Sequence, residues 1–181
     1  MDAPSTVFLI GFMGAGKTTF GKKLAAKLGL QFVDLDEEIV KLEERRPETG
    51  VNSPASVKDL IELRGIDYFR KAEADTLRQL DLDKKLISTG GGAPCYYNNM
   101  QWMKEHGTVV FLNVDEGVIY SRLKATNLDE RPLLKGLDDE GLKTFIHEKL
   151  QERLPVYQQA HIQFNPVKQK PEELVNVLTQ L

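Results

Sequence analysis

The chain has one cysteine, one tryptophan and three histidines in 181 residues. A lone Cys95 excludes an intramolecular disulfide and fits a reducing compartment. His106, His147 and His161 are scattered without metal-ligand spacing and are expected to be structural or surface residues. Positive charge is not in excess either: 24 Lys and Arg stand against 27 Asp and Glu, for a formal net charge of −3. Without a global positive field, no nucleic-acid partner is expected, and any anion must be gripped by local arginines and lysines. No uninterrupted apolar stretch approaches the roughly 18 residues that span a bilayer, so no membrane partner is expected. The opening Met-Asp-Ala-Pro-Ser-Thr lacks the basic n-region of a signal peptide, which points to the cytoplasm. Repeats and low-complexity tracts are absent too. What remains is an ordinary globular composition, 41% hydrophobic, expected to form one domain over residues 1–181 with a substantial core.

The most informative segment is Gly11 to Thr18, Gly-Phe-Met-Gly-Ala-Gly-Lys-Thr, a complete GxxxxGKT phosphate-binding loop. It follows the apolar run Val7-Phe8-Leu9-Ile10 and precedes a helix expected over Lys17 to Leu28, with Phe20, Leu24, Ala25 and Leu28 on one face. Glycines let successive backbone N–H groups face the phosphates, Lys17 reaches the β and γ oxygens, and the Thr18 hydroxyl ligates Mg²⁺. A glycine-rich turn alone is common. Glycines, lysine and threonine in this register, between a strand and a helix, specify a nucleoside triphosphate site.

Further β-rich runs at Gln31 to Leu35, Leu86 to Ser88, Val109 to Leu112 and Ile162 to Phe164 alternate with helical patterns, which gives an α/β fold with a parallel sheet wrapped by helices. The helical patterns run over Glu37 to Arg45, through Phe69, Ala72, Leu77 and Leu80 with Asp67 as a cap, and through Val118, Ile119 and Leu123 with Asp115 as a cap. The last opens at Pro171 and carries Leu174, Val175, Leu178 and Leu181. Trp102, Met100 and Met103 read as helix packing. Two segments interrupt the pattern. Arg45 to Ser53 reads as an excursion from the core, with Ser53-Pro54 as a helix start, and Ala125 to Asp138 as a surface loop able to close over a nucleotide.

In such sheets ligands bind beyond the carboxyl ends of the strands. Asp34 and Asp36 lie there, two apart, so on an extended chain both carboxylates face the cleft. One can hold the water shell of Mg²⁺ while the other orients a substrate hydroxyl; the spacing does not say which, and an acidic helix start would also explain Asp-Leu-Asp-Glu-Glu. Thr89-Gly90-Gly91-Gly92 follows the third strand directly, and three glycines in a row imply a close approach or unusual dihedrals. Arg70, Arg131 and Arg153 complete the candidate set.

Together, GFMGAGKTT, DLD at Asp34 to Asp36, FRKAE at Phe69 to Glu73, STGGGAP at Ser88 to Pro94, RPLL at Arg131 to Leu134 and RLPVY at Arg153 to Tyr157 resemble the shikimate kinase family over nearly the whole chain. That resemblance implies a three-layer α/β/α P-loop kinase with a five-stranded parallel sheet, a substrate-binding excursion at about 37–72 and a lid at about 125–138. It implies transfer of the γ-phosphoryl group of ATP to the 3-hydroxyl of shikimate, with Mg²⁺ as cofactor, shikimate and ATP as partners, and a monomer.

Carried over by motif, Gly14, Ala15, Gly16, Lys17, Thr18 and Thr19 would bind ATP, with Lys17, Asp36 and Arg131 catalytic. Thr18 and Asp34 would hold the metal. Asp36, Arg70, Gly90, Gly91, Gly92 and Arg153 would bind the substrate, the two arginines gripping its carboxylate as forks. Adenine would meet Lys124, where many members have an arginine seven positions before the lid arginine, and Asn165 in the late turn. The stretch between Asp36 and Arg70 is longer than is usual in the family, with the extra length around Arg45 to Pro54. A gluconate-kinase-like or nucleotide-kinase-like enzyme would share the loop and sheet but does not require DxD, FR, TGGG and the late arginine together. A GTPase would need Asn-Lys-x-Asp, and Asn113-Val114-Asp115 is not that motif. A non-enzymatic nucleotide-binding module is opposed by the intact Lys17, Thr18 and Asp36.

Overall fold

The structure is a computed structural model, and it describes residues 5–45, 54–128 and 131–180. Five strands form one sheet: β1 (Thr6–Ile10), β2 (Gln31–Asp34), β3 (Lys85–Ser88), β4 (Thr108–Leu112) and β5 (Ile162–Phe164). Their order is β2-β3-β1-β4-β5 and all four pairings are parallel. β1 lies in the middle, and all five of its residues are buried, as a strand covered on both faces requires.

The described residues also form the helices α1 (Lys17–Leu28), α2 (Leu35–Glu44), α3 (Val57–Arg64), α4 (Ile66–Gln79), α5 (Asn99–His106), α6 (Glu116–Lys124), α7 (Asp139–Tyr157) and α8 (Pro171–Leu178). A short 3₁₀ turn, Ala93–Cys95, follows β3. The crossovers after β1, β3 and β4 each run through a helix, the α/β arrangement expected from the alternation. Trp102 packs edge-on against Phe8 at 6.0 Å, while Met100 and Met103 are buried, in keeping with a packing role. No helix among the described residues is long and apolar enough to cross a membrane.

Register decides where the chemistry can gather. Leu9 of β1 pairs with Ser88 of β3, and Ser88 pairs with Asp34 of β2. The carboxyl ends of three strands therefore stand level, and the segments that follow them all open at one edge. These are the phosphate loop, the Asp34-Leu35-Asp36 turn and the three glycines.

Several local expectations need correction. Leu35 is not strand: β2 ends at Asp34, whose carboxylate caps α2 by accepting the Asp36 N–H at 3.1 Å, so Asp36 stands in the first helical turn rather than on an extended chain. The acidic helix start is thus real, and helix geometry brings the two carboxylates to one mouth. Asp67 does not cap α4; Gly65 precedes that helix and Asp67 falls in its first turn. Asp115 sits at the cap position of α6 without capping it and pairs with Lys168 at 2.8 Å instead. α3 begins after Ser56, whose hydroxyl accepts the Asp59 N–H at 3.1 Å. Of the excursion expected at Arg45 to Ser53, residues 46–53 lie outside the described residues, as do Asp129, Glu130 and Leu181.

Candidate active site

The phosphate loop takes its shape from glycines at positive φ: Gly11 at 146°, Gly14 at 79° and Gly16 at 91°. Side-chain-bearing residues rarely adopt these angles, so the glycines are a backbone requirement. Gly16 is the left-handed N-cap of α1, which leaves the N–H groups of the first turn pointing out of the helix end. Lys17 Nζ donates to the carbonyls of Gly11 at 2.8 Å and Phe12 at 3.0 Å, folding its ammonium back over the loop. Burial lowers the Lys17 pKa to about 8, with Asp36 and Asp34 opposing the shift.

Thr18 Oγ1 donates to Asp34 Oδ2 at 3.1 Å. A hydroxyl and a carboxylate oxygen therefore meet between the loop and β2. Two hard oxygens beside a phosphate cradle suit Mg²⁺, which binds few protein ligands and keeps its waters. Among the described residues no group of three or more His, Cys, Asp or Glu could hold a metal by itself.

Asp36 is half-buried, but its Oδ1 is shut off from solvent and has no partner within the protein. Burial, reinforced by Asp34, raises its pKa to about 6 against the pull of Lys17 and Arg70. Facing it, Arg70 is 8% exposed and Arg153 3%, both unusual for arginine. Arg70 Nη1 donates to Glu73 Oε2 at 2.7 Å. Burial pushes Glu73 up to about 7, opposed by Arg70. Arg70 Nε, Glu73 Oε1 and Arg153 Nε and Nη1 are buried with no partner within the protein. Buried charged groups without partners are costly, so this concentration marks a place shaped for an anionic, hydroxyl-bearing ligand.

The three glycines explain how these charges fit together. A Cβ on Gly90 would stand 2.6 Å from Glu73 Oε1 and 3.2 Å from Asp36 Oδ1, and one on Gly92 would stand 2.5 Å from Arg70 Nη2. None of the three has positive φ, so of the two reasons offered by the sequence, close approach is the one that applies.

Two cavities result. One of about 470 Å³ is lined by Gly14, Gly16, Lys17, Thr18, Thr19 and Asp34. The other, of about 250 Å³, is lined by Arg70, Glu73, Gly92 and Arg153, with Val57, Ile61 and Phe69 as an apolar wall. Met13, Asp36, Gly90, Gly91 and Arg131 border both. Arg131 Nη1 donates to Thr126 Oγ1 at 2.8 Å, which holds it beside the phosphate loop. A roomier groove of about 510 Å³ on the outer face, near Tyr120 and His147, contains none of these residues.

The structure does not gather every expected residue. Ala15 is buried beneath the loop, and its carbonyl accepts from Arg122. Lys124 Nζ pairs with Asp139 at 2.5 Å and reaches the Tyr120 hydroxyl at 3.3 Å, away from the phosphate cavity. Asn165 spends its side-chain oxygen on the N–H groups of Val167 and Lys168. The sequence reading missed Arg122, which borders the phosphate cavity and donates to the carbonyls of Gly14 at 3.1 Å and Ala15 at 2.9 Å. Helix periodicity was the available signal: Ile119 and Leu123 are buried toward the loop, and Arg122, three residues after Ile119, flanks that face. Glu73 was missed as well, although it stands three residues after Arg70, the spacing of a helical ion pair. Among the histidines, His161 Nδ1 accepts the Val109 N–H at 3.1 Å and His106 stacks on Trp102, both structural roles. Cys95 is half-buried, and burial pushes its thiol up, which makes it a poor nucleophile.

A phosphate loop at the carboxyl edge of a five-stranded parallel sheet, with a basic acceptor cavity opening into it, defines a P-loop phosphotransferase. Within that class, the family model for shikimate kinase matches residues 13–181. A shikimate kinase of Bacteroides thetaiotaomicron is 44% identical over 160 residues, covering 88% of this chain and 85% of that protein. One from Parabacteroides distasonis is 42% identical over 171 residues, 94% of this chain and 92% of its own length. Among solved structures, a shikimate kinase from Bacteroides thetaiotaomicron superposes with a TM-score of 0.84 at 37% identity, covering 99% of this chain and 100% of that one. A shikimate kinase from Acinetobacter baumannii in complex with shikimate gives 0.79 at 30% identity, with 97% and 91% covered. A gluconokinase from Sinorhizobium meliloti shares the fold, with a TM-score of 0.54 at 18% identity. The chain belongs to the shikimate kinase family.

Proposed function

We propose that this chain transfers the γ-phosphoryl group of ATP to the 3-hydroxyl of shikimate, giving shikimate 3-phosphate and ADP, and so serves aromatic amino acid biosynthesis through chorismate. The observation that carries this reading is the pair of cavities joined at Asp36 and Arg131. One is built for a triphosphate and the other for a small carboxylate-bearing polyol, and they meet at an acid and a cation.

The roles follow from position. Gly14, Gly16, Thr19 and the loop backbone cradle the phosphates, and Lys17 carries charge to the β and γ oxygens. Thr18 and Asp34 would hold Mg²⁺, which would neutralise phosphate charge. Arg70 and Arg153 bind the substrate carboxylate, with Glu73 orienting Arg70 and the three glycines giving the ring backbone contact. Asp36, ionised above about pH 6, accepts the hydrogen bond of the reacting hydroxyl and aims its oxygen at phosphorus. Arg131 stabilises the charge that spreads over the transferring group. Arg122 rather than Lys124 serves the nucleotide side from α6. One chain supplies both halves, so a monomer suffices as the catalytic unit, its whole length acting as one domain. From the excursion at about 37–72, Val57, Ile61, Phe69 and Arg70 wall the acceptor, and the segment at about 125–138, which supplies Arg131, acts as lid. The single half-buried cysteine suits the reducing cytoplasm.

An assay of ADP release with shikimate, gluconate, AMP or no acceptor tests the reading. Shikimate alone is expected to stimulate release, and release indifferent to shikimate overturns the proposal. Asp36→Asn is expected to lower turnover by about a hundredfold to ten-thousandfold with ATP binding retained.

A further inference from the structure

α7 ends on Arg153-Leu154-Pro155-Val156-Tyr157. Four residues apart on a helix, Arg153 and Tyr157 share a face, and that face is buried, with Tyr157 fully enclosed. A buried phenol needs a partner for its O–H, and this one donates to the carbonyl of Gly91. Burial holds the hydroxyl above its ordinary range, so it remains a donor throughout the neutral range. The ring is fixed separately against Phe111, centroids 5.0 Å apart.

Gly91 is the middle glycine of the three, and it stands at a junction. Its Cβ position lies 3.2 Å from the Met13 N–H nitrogen, 3.4 Å from the Gly11 carbonyl and 3.5 Å from Arg153 Nη1. Gly90, on one side, rests on Glu73 and Asp36, and Gly92, on the other, rests on Arg70. The placement of one peptide thus sets the distance of the backbone from the phosphate loop and from Asp36, Arg70, Glu73 and Arg153. Glycine peptides resist rotation least of all, so three in succession need an external tether. The hydroxyl of Tyr157 supplies one from the same helix that supplies Arg153.

We propose that Tyr157 is a positioning residue for the phosphoryl acceptor, its hydroxyl fixing the Gly91 peptide so that Asp36, Arg70 and Arg153 keep the spacing the acceptor needs. The proposal rests on the acceptor cavity being the shikimate site. Tyr157→Phe keeps the ring and its packing on Phe111 while removing only the hydroxyl. Loss of one buried hydrogen bond is expected to raise the shikimate KM about threefold to tenfold, with the ATP KM within about twofold of wild type. Hydrogen exchange is expected to quicken at residues 89–93 and to stay unchanged across β4. A shikimate KM and loop exchange both at wild-type values overturn the proposal. So does a lowered melting temperature with both KM values raised together, which would mark a general scaffold role. Wild-type enzyme run alongside separates the two hypotheses: if it ignores shikimate the acceptor reading fails, while exchange at 89–93 still decides what Tyr157 does.

Discussion

The two cavities are built by different means. The phosphate side is a backbone device: glycines at positive φ, a helix N-terminus, and side chains already satisfied, with Lys17 on two carbonyls and Thr18 on Asp34. The acceptor side is a side-chain device. Beside the Arg70–Glu73 pair, Asp36 Oδ1, Arg70 Nε, Glu73 Oε1 and Arg153 Nε and Nη1 are buried without partners within the protein. A polyphosphate is the same in every nucleoside triphosphate and can be met by a preformed shape. A particular small polyol must instead be distinguished by groups that stay costly until it arrives. General chemistry is thus written in dihedral angles and specific chemistry in unpaid desolvation.

The largest expected break of this contrast comes from crowding the acceptor alone. Gly92→Ala places a methyl 2.5 to 2.8 Å from the Arg70 guanidinium. It should cut kcat/KM for shikimate by about a hundredfold, the scale of a displaced positioning group, while titration of the protein with ATP gives a nearly unchanged Kd. A matching loss of ATP affinity would show that the halves are not separately built.

Acidity sharpens the contrast at intermediate size. Asp36 works as a carboxylate and titrates at about 6, so kcat/KM falls roughly tenfold per pH unit below that value. Lys17 works as an ammonium and titrates at about 8, so the same parameter falls above it. The bell therefore has one limb from each half, and bound ATP should move the alkaline limb upward, because phosphate favours the charged lysine. Stability follows the opposite sense from a paired carboxylate. Asp36 and Glu73 titrate higher folded than their ordinary 3.8 and 4.5, so the stabilisation is present at low pH and is lost as pH climbs through about 6 and 7. Melting temperatures across pH 4 to 8 check this, and Asp36→Asn should flatten the decline.

The smallest effect concerns α6. Arg122→Ala is expected to raise the ATP KM about threefold to tenfold through loss of its bonds to Gly14 and Ala15, whereas Lys124→Ala, which breaks an exposed pair with Asp139, should leave it within about twofold. The reverse ranking would restore the lysine to the nucleotide.

What the sequence disclosed follows the same division. The phosphate loop was legible to the residue because its geometry depends on glycine and on one lysine and threonine at fixed spacing. A parallel sheet followed from alternation and β-rich runs, and the rule that ligands bind beyond strand ends placed Asp34 and the glycines together, but the order β2-β3-β1-β4-β5 came only from the coordinates. α5 was read only as helix packing at Met100, Trp102 and Met103, without bounds, since Asn99 to His106 has little apolar periodicity, and the helix start read at Ser53-Pro54 falls three residues before the Ser56 cap of α3. Asp34 and Asp36 were placed correctly at the mouth for the wrong reason. An i, i+2 rule for strands and an N-cap both bring two acids together, and only coordinates separate them. Arg122 and Tyr157 escaped because each acts on a backbone carbonyl far along the chain, and a carbonyl leaves no mark in a sequence.

Arg131 borders both cavities, and so does Asp36. Whatever one ligand does through a shared wall to the affinity of the other, the other does to it by an equal factor. For this molecule the linkage means thrift: water diffusing in beside ATP brings neither a carboxylate for Arg70 and Arg153 nor a ring for the glycines. The cell's fuel is spent only when there is something to spend it on.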